Sequence, residues 1–106
     1  MAFSIKQNDT SPSLQAILKD GGLNPVDLTG ASVRFHMKAI GGDIKVDAPM
    51  TVVDQGNGVV QYDWGSGDTN TVGTYAVEFE VTYSDGAIET FPNKGSLAVN
   101  VTRELA

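Results

Sequence analysis

Few residues in this chain could do chemistry, and their spacing limits what that chemistry could be. The one histidine, His36, stands in "ASVRFHMK" between Arg34 and Lys38. Alone it could act as an acid–base or a metal ligand. Alternation along that stretch turns it outward with its basic neighbours, which reads as a solvent-facing strand residue. No cysteine is present, so zinc would have to complete its shell with carboxylates, a set it seldom accepts. Glu78 and Glu80 lie two apart, so on a strand their side chains point the same way. A working carboxylate pair needs a desolvated site, and alternation puts these two on the wet face. "GSGDTN" offers loop oxygens but lacks the regular acid spacing of a calcium loop. Ser66 within it has no strand-to-helix turn of the nucleophile-elbow kind. "GGLNP" and "IGGDIK" are glycine-rich, yet no helix follows either to hold a phosphate. Trp64, the one aromatic that could stack on a sugar, shares a face with Val60 and Tyr62 and reads as core. The expectation is a chain with no enzymatic activity, no cofactor and no metal.

The elements that would position these groups are strands. In "DTNTVGTYAVEFEVTY", Tyr75, Val77, Phe79, Val81 and Tyr83 share one face while Glu78, Glu80 and Thr82 share the other. Period-two alternation of this kind marks a half-buried strand. It recurs through Val33, Phe35 and Met37, and through Leu97, Val99 and Val101. "AFSIKQ" reads as a first strand with Phe3 and Ile5 inward. "SLQAILKD" allows a helical turn through Leu14, Ile17 and Leu18, but a strand with Leu14, Ala16 and Leu18 inward suits its neighbours better. "VVDQGNGVVQYDW" predicts a hairpin in which Asn57-Gly58 supplies positive φ angles, and "YSDGAIET" predicts another at Asp85-Gly86. The prolines fall between the runs or at a strand's first residue, where a missing amide proton costs no ladder bond. Seven to nine short strands with such turns predict an all-β, immunoglobulin-like antiparallel sandwich, with residues 1–106 as one domain. In that fold a tyrosine opening a central strand can turn its hydroxyl back onto the preceding loop. "DTNTVGTY" has the parts for this corner: a polar loop, Gly73 for an unusual backbone angle, then Tyr75.

Composition narrows the partners. In 106 residues, seven basic side chains face thirteen acidic ones, a net charge of −6. That balance argues against nucleic acid, whose binding is driven by Lys and Arg, and against anionic membranes. No secretory signal is visible at "MAFSIKQND", and no apolar run approaches the ~20 residues of a membrane helix. A soluble protein folded in a cytoplasm is expected.

With the strands placed, the order of short motifs resembles the N-terminal domain of the phage baseplate upper protein family. The motifs are Gln7 to Asp9, Asp27 to Ala31, Tyr62 to Trp64, Asp68 to Thr69, Gly73 to Tyr75 and Asp85 to Pro92. The resemblance implies a virion structural protein, assembled in the host cytoplasm. In the family this domain anchors a receptor-binding or fibre apparatus to the tail, and members continue into a linker and a distal part. A stand-alone sandwich could equally decorate the capsid or hold a head fibre, and a carbohydrate-binding module using Trp64 is the alternative from another class. As an anchor it would dock to other virion proteins, with copies of itself alongside. The expected contacts are the edge carrying Phe3 and Ile5, and loops carrying Ile40, Asp43, Asn70 and Asn93; Phe35, Phe79, Val99 and Trp64 are expected in the core.

Overall fold

In a computed structural model, residues 2–105 are described. Nine strands form among them: β1 (Ala2–Lys6), β2 (Leu14–Ile17), β3 (Ser32–Ala39), β4 (Ile44–Pro49), β5 (Thr51–Asp54), β6 (Val59–Tyr62), β7 (Gly73–Thr82), β8 (Ile88–Phe91) and β9 (Leu97–Thr102). Among these residues the only helical turn is the 3-10 segment Gln55–Asn57. The all-β sandwich expected from the alternation is what forms.

The larger sheet runs β1-β9-β7-β3-β4, and the smaller runs β2-β6-β5. β7, the longest strand, organises the larger sheet. One of its edges pairs with β3 from Tyr75 to Thr82. The other is shared end to end: β9 takes Gly73 to Val77 and β8 takes Phe79 to Thr82. This register sets Phe35, Phe79 and Phe91 in one row across β3, β7 and β8. All three are buried, as are Val33, Met37, Val77, Val81, Val99 and Val101. Every pair is antiparallel except β1 with β9, the chain's first and last strands, which run parallel.

The favoured strand at "SLQAILKD" forms as β2, with Leu14 and Leu18 buried. Two local readings need correction. The β5–β6 connection is a 3-10 turn in which Gly58 alone takes a positive φ, 66°; Asn57 does not share it. The two-residue turn fails because β5 pairs out of step at Asp54, leaving extra residues to bridge. Pro49 closes β4 rather than opening a strand, and β4 is an outer strand of its sheet, so its missing amide costs no ladder bond.

Candidate docking surfaces

The groups that could have been reactive are engaged with one another on the outer face of the larger sheet. Arg34 Nε donates to Asp47 Oδ1 at 2.9 Å, and His36 Nε2 lies 3.1 Å from the same oxygen. Arg34's hydrogen bond is the chief reason that Asp47's carboxyl lies below the usual carboxylate range. Across β7, Glu80 stands opposite Arg34 and Glu78 opposite His36. The basic strand is thus flanked by acids on both sides, the cross-strand arrangement that favours opposite charges. His36 is not free in solvent but tied to Asp47, and Glu78 and Glu80 stand in register with basic residues of β3. Among the described residues no cluster of three or more His, Cys, Asp or Glu is placed to hold a metal.

The short motifs of the sequence are spent on internal structure. Gln7 to Asp9 turns the chain after β1, with Asn8 at φ 68°, a region asparagine tolerates better than most residues. It meets the distant stretch Asp68 to Asn70. Asn8 N donates to Thr69 O at 3.0 Å, buried Thr69 returns a bond from Oγ1 to Asp9 O at 2.8 Å, and Gln7 Nε2 donates to Asn70 O at 3.0 Å. In "DLTGA", Asp27 Oδ1 accepts from both the amide and the hydroxyl of Thr29, while Leu28 is buried. Asp85 likewise accepts from the amide of Ala87 at the β7–β8 turn. Such Asx turns let a short carboxylate replace a backbone partner.

Tyr75 turns its hydroxyl back and donates to Thr71 O at 2.6 Å, as the corner geometry requires. Gly73 opens β7 at φ 157°, with the Tyr75 ring beside it. Removing only the hydroxyl, by Tyr75→Phe, is expected to cost about 1–2 kcal/mol, because the Thr71 carbonyl loses its partner while the ring stays packed. Urea unfolding followed by tryptophan fluorescence measures this, and an unchanged midpoint would contradict it.

Trp64 is buried, and its Nε1 donates to Pro12 O at 3.1 Å. Phe3, Phe35 and Tyr62 surround its ring, so no face is left for a sugar. Tyr62 Oη donates to Asp68 Oδ2, which also accepts from Gly65 N at 2.7 Å. Burial, then the hydrogen bond to Asp68 and its negative charge, pushes the Tyr62 phenol well above its usual 10. Burial and a 2.7 Å bond to Glu89 push that of Tyr83 up to about 12. A phenol whose folded pKa is raised stabilises the fold below pH 10 and loses that contribution as pH rises through the folded value. The thermal midpoint is therefore expected to fall between pH 10 and 12, and less steeply in Tyr83→Phe; parallel pH profiles for the two proteins would contradict this.

The expected contact residues are not one surface. Ile40 is 68% exposed, and Asp43 and Asn70 are also exposed. These three gather at one end of the sandwich: Ala39 N donates to Asp43 O, and Lys45 Nζ to Asn70 Oδ1 at 2.6 Å. Asn93 lies apart, in the loop where the chain leaves β8 for β9, and donates to Glu89 and Thr90. Ile5 is buried, so β1 can offer a partner its outer main-chain edge but not this side chain, while Phe3 is half-buried against Trp64.

A further surface was not foreseen. A groove of about 800 Å³ opens between β2 of the smaller sheet and β8, β9 and Phe3 of the larger. Its walls include Ile17, Phe91, Pro92 and Leu97. The signal was available in Ile17, an apolar residue on the outward phase of β2, and it is 55% exposed.

A family model described as the BppU N-terminal domain matches residues 2–102. Among solved structures, the crystal structure of CopC from Methylosinus trichosporium OB3b is similar, with a TM-score of 0.55. Identity is 18%, over 98% of this chain and 86% of that one, a level that bears on the fold alone. Curated proteins give no match.

Proposed function

The chain belongs to the BppU N-terminal domain family, that of phage baseplate upper proteins, and from this premise we propose that it is a non-enzymatic anchoring module of the tail's adsorption apparatus. It docks through strand edges and loops to other virion proteins, in several copies per particle. The match over residues 2–102 carries this reading. The disposition of polar groups supports it: Thr69, Tyr75, Asp47 and the lone histidine are used to fix loops and strands in place. A rigid two-sheet core holds rims and tips at set positions, which symmetric assembly needs.

The test is to look for the chain in purified virions by mass spectrometry, then label it with antibody for electron microscopy. Label at the tail tip is expected. Absence from particles would overturn the reading, and label over the capsid would replace anchoring with decoration. Burial of Trp64 speaks against the sugar-binding alternative.

A further inference from the structure

We propose that the groove beside β2 receives one extended segment of a partner protein, which adds to the smaller sheet as a fourth strand. This deepens the anchoring reading and rests on it, naming the surface and the chemistry of what it holds.

The two sheets are unequal. Five strands abreast at about 4.8 Å spacing place the outermost about 19 Å apart, while three span only about 10 Å. The smaller sheet thus stops short of the larger one's flank, and the groove lies there, lined by half-buried Pro92 and Leu97 with buried Phe91 and Val99 at its base.

The rim supplies the main-chain partners. Leu18 N donates to Gly58 O at 2.9 Å, and Leu18 O accepts from Val26 N at 2.9 Å. In an alternating antiparallel ladder, Leu14, Ala16 and Leu18 then turn their backbone groups toward β6, and Gln15, Ile17 and Lys19 turn theirs away. Among the described residues no strand lies beyond β2 on that side. A segment of about four extended residues matches the length of β2 and finds a row of amides and carbonyls there.

Side chains define the occupant further. Those facing inward would cover the half-buried Pro92 and Leu97. Those facing outward would stand beside Gln15, Ile17 and Lys19. Around Ile17 the outer face is polar: Gln15 bonds to Gln61, and Asp63 accepts from both Gln61 and Ser13. Exposed Ile17 calls for an apolar cross-strand neighbour. Among the described residues Lys19 is the only ionisable side chain lining the groove, in a chain of net charge −6. It selects a carboxylate on the occupant, while the overall charge disfavours a second copy of the chain. The segment is therefore apolar at alternate positions, carries one outward apolar residue for Ile17, and has an acid for Lys19.

The probe is a capped seven-residue peptide alternating valine with threonine and bearing one glutamate, followed by fluorescence anisotropy and amide NMR shifts. Saturable binding is expected, with shifts centred on Gln15, Ile17, Lys19 and Leu97. N-methylation of one alternate set of peptide residues should weaken it at least about tenfold, and of the other set less than about twofold, because an added strand bonds through one edge. Lys19→Glu should weaken binding and shift preference to the same peptide with lysine in place of glutamate. Ile17→Pro should abolish it, since it removes an amide facing the open edge without touching the β6 ladder; its melting curve shows whether the fold survives, and the peptide variants need no change in the protein. No saturable binding at millimolar peptide, equal effects of the two methylation sets, or self-association through β2 in sedimentation would each overturn the proposal. Were the chain still found at the tail tip, such a result would leave anchoring standing, whereas absence from particles would overturn anchoring whatever the peptide does.

Discussion

Phe35→Ala is expected to lower the free energy of unfolding by about 3–5 kcal/mol, the range for removing a fully buried aromatic ring. Phe35 has no exposed surface. Its ring stacks on Tyr62 with centroids 4.2 Å apart and planes 6° from parallel, and meets Trp64 edge-on at 5.7 Å. Tyr62 belongs to the smaller sheet and Phe79, 6.1 Å away, to the larger, so Phe35 is a principal tie between the layers. No neighbour can fill the void, because Trp64 and Tyr62 are each held by a polar bond at the far end. Phe35→Leu keeps most of the apolar volume and should cost less than half as much. Urea unfolding measures both, and a loss under about 1 kcal/mol for the alanine variant would contradict this packing.

The second large effect is expected at Gly58. It takes φ 66°, where a side chain costs about 1–2 kcal/mol from sterics with its own backbone. An added Cβ would also stand 2.7 Å from Leu18 O and 2.9 Å from Val26 O, both main-chain atoms. Relief requires moving the segment that holds β2 to β6, through the Leu18 N to Gly58 O bond. Gly58→Ala should therefore cost roughly 3 kcal/mol, the two penalties together. Gly86→Ala is the control: its φ is 90°, but nothing lies within 4 Å of the new methyl, so only the conformational cost applies. Equal losses in the two variants would show that crowding at Gly58 has been overstated.

What the sequence made legible was whatever alternation governs. β3 and β7 bury every second residue and β9 buries Val99 and Val101, with Phe35, Phe79 and Val99 facing inward as that pattern requires. Tyr75 and Thr71 are four residues apart, so their bond was a local matter. Contacts across long stretches of chain were harder to read. Leu28 is buried although it lies in a loop, because its amide reaches Gln55 O, and no periodicity marks such a residue. Thr69 is buried because a segment 60 residues earlier supplies its acceptor. The outer charges were read as simply solvated; they form cross-strand rows because β3 lies between β4 and β7, a neighbourhood that alternation within one strand does not encode. Ile17 was the missed clue. Its outward phase kept a helical reading of "SLQAILKD" in play, and the structure places it on an open strand edge beside an apolar groove.

Proposed as an anchor, the sandwich must meet its partners through rims and edges while its core stays closed. A cryo-electron-microscopy reconstruction of the intact virion tests this most directly. The result expected is the chain in symmetric copies at the baseplate, with strand edges or the Ile40–Asn70 end against neighbours and Trp64 enclosed. A baseplate fully accounted for by other chains, or this chain bound with its two sheets parted, would contradict it.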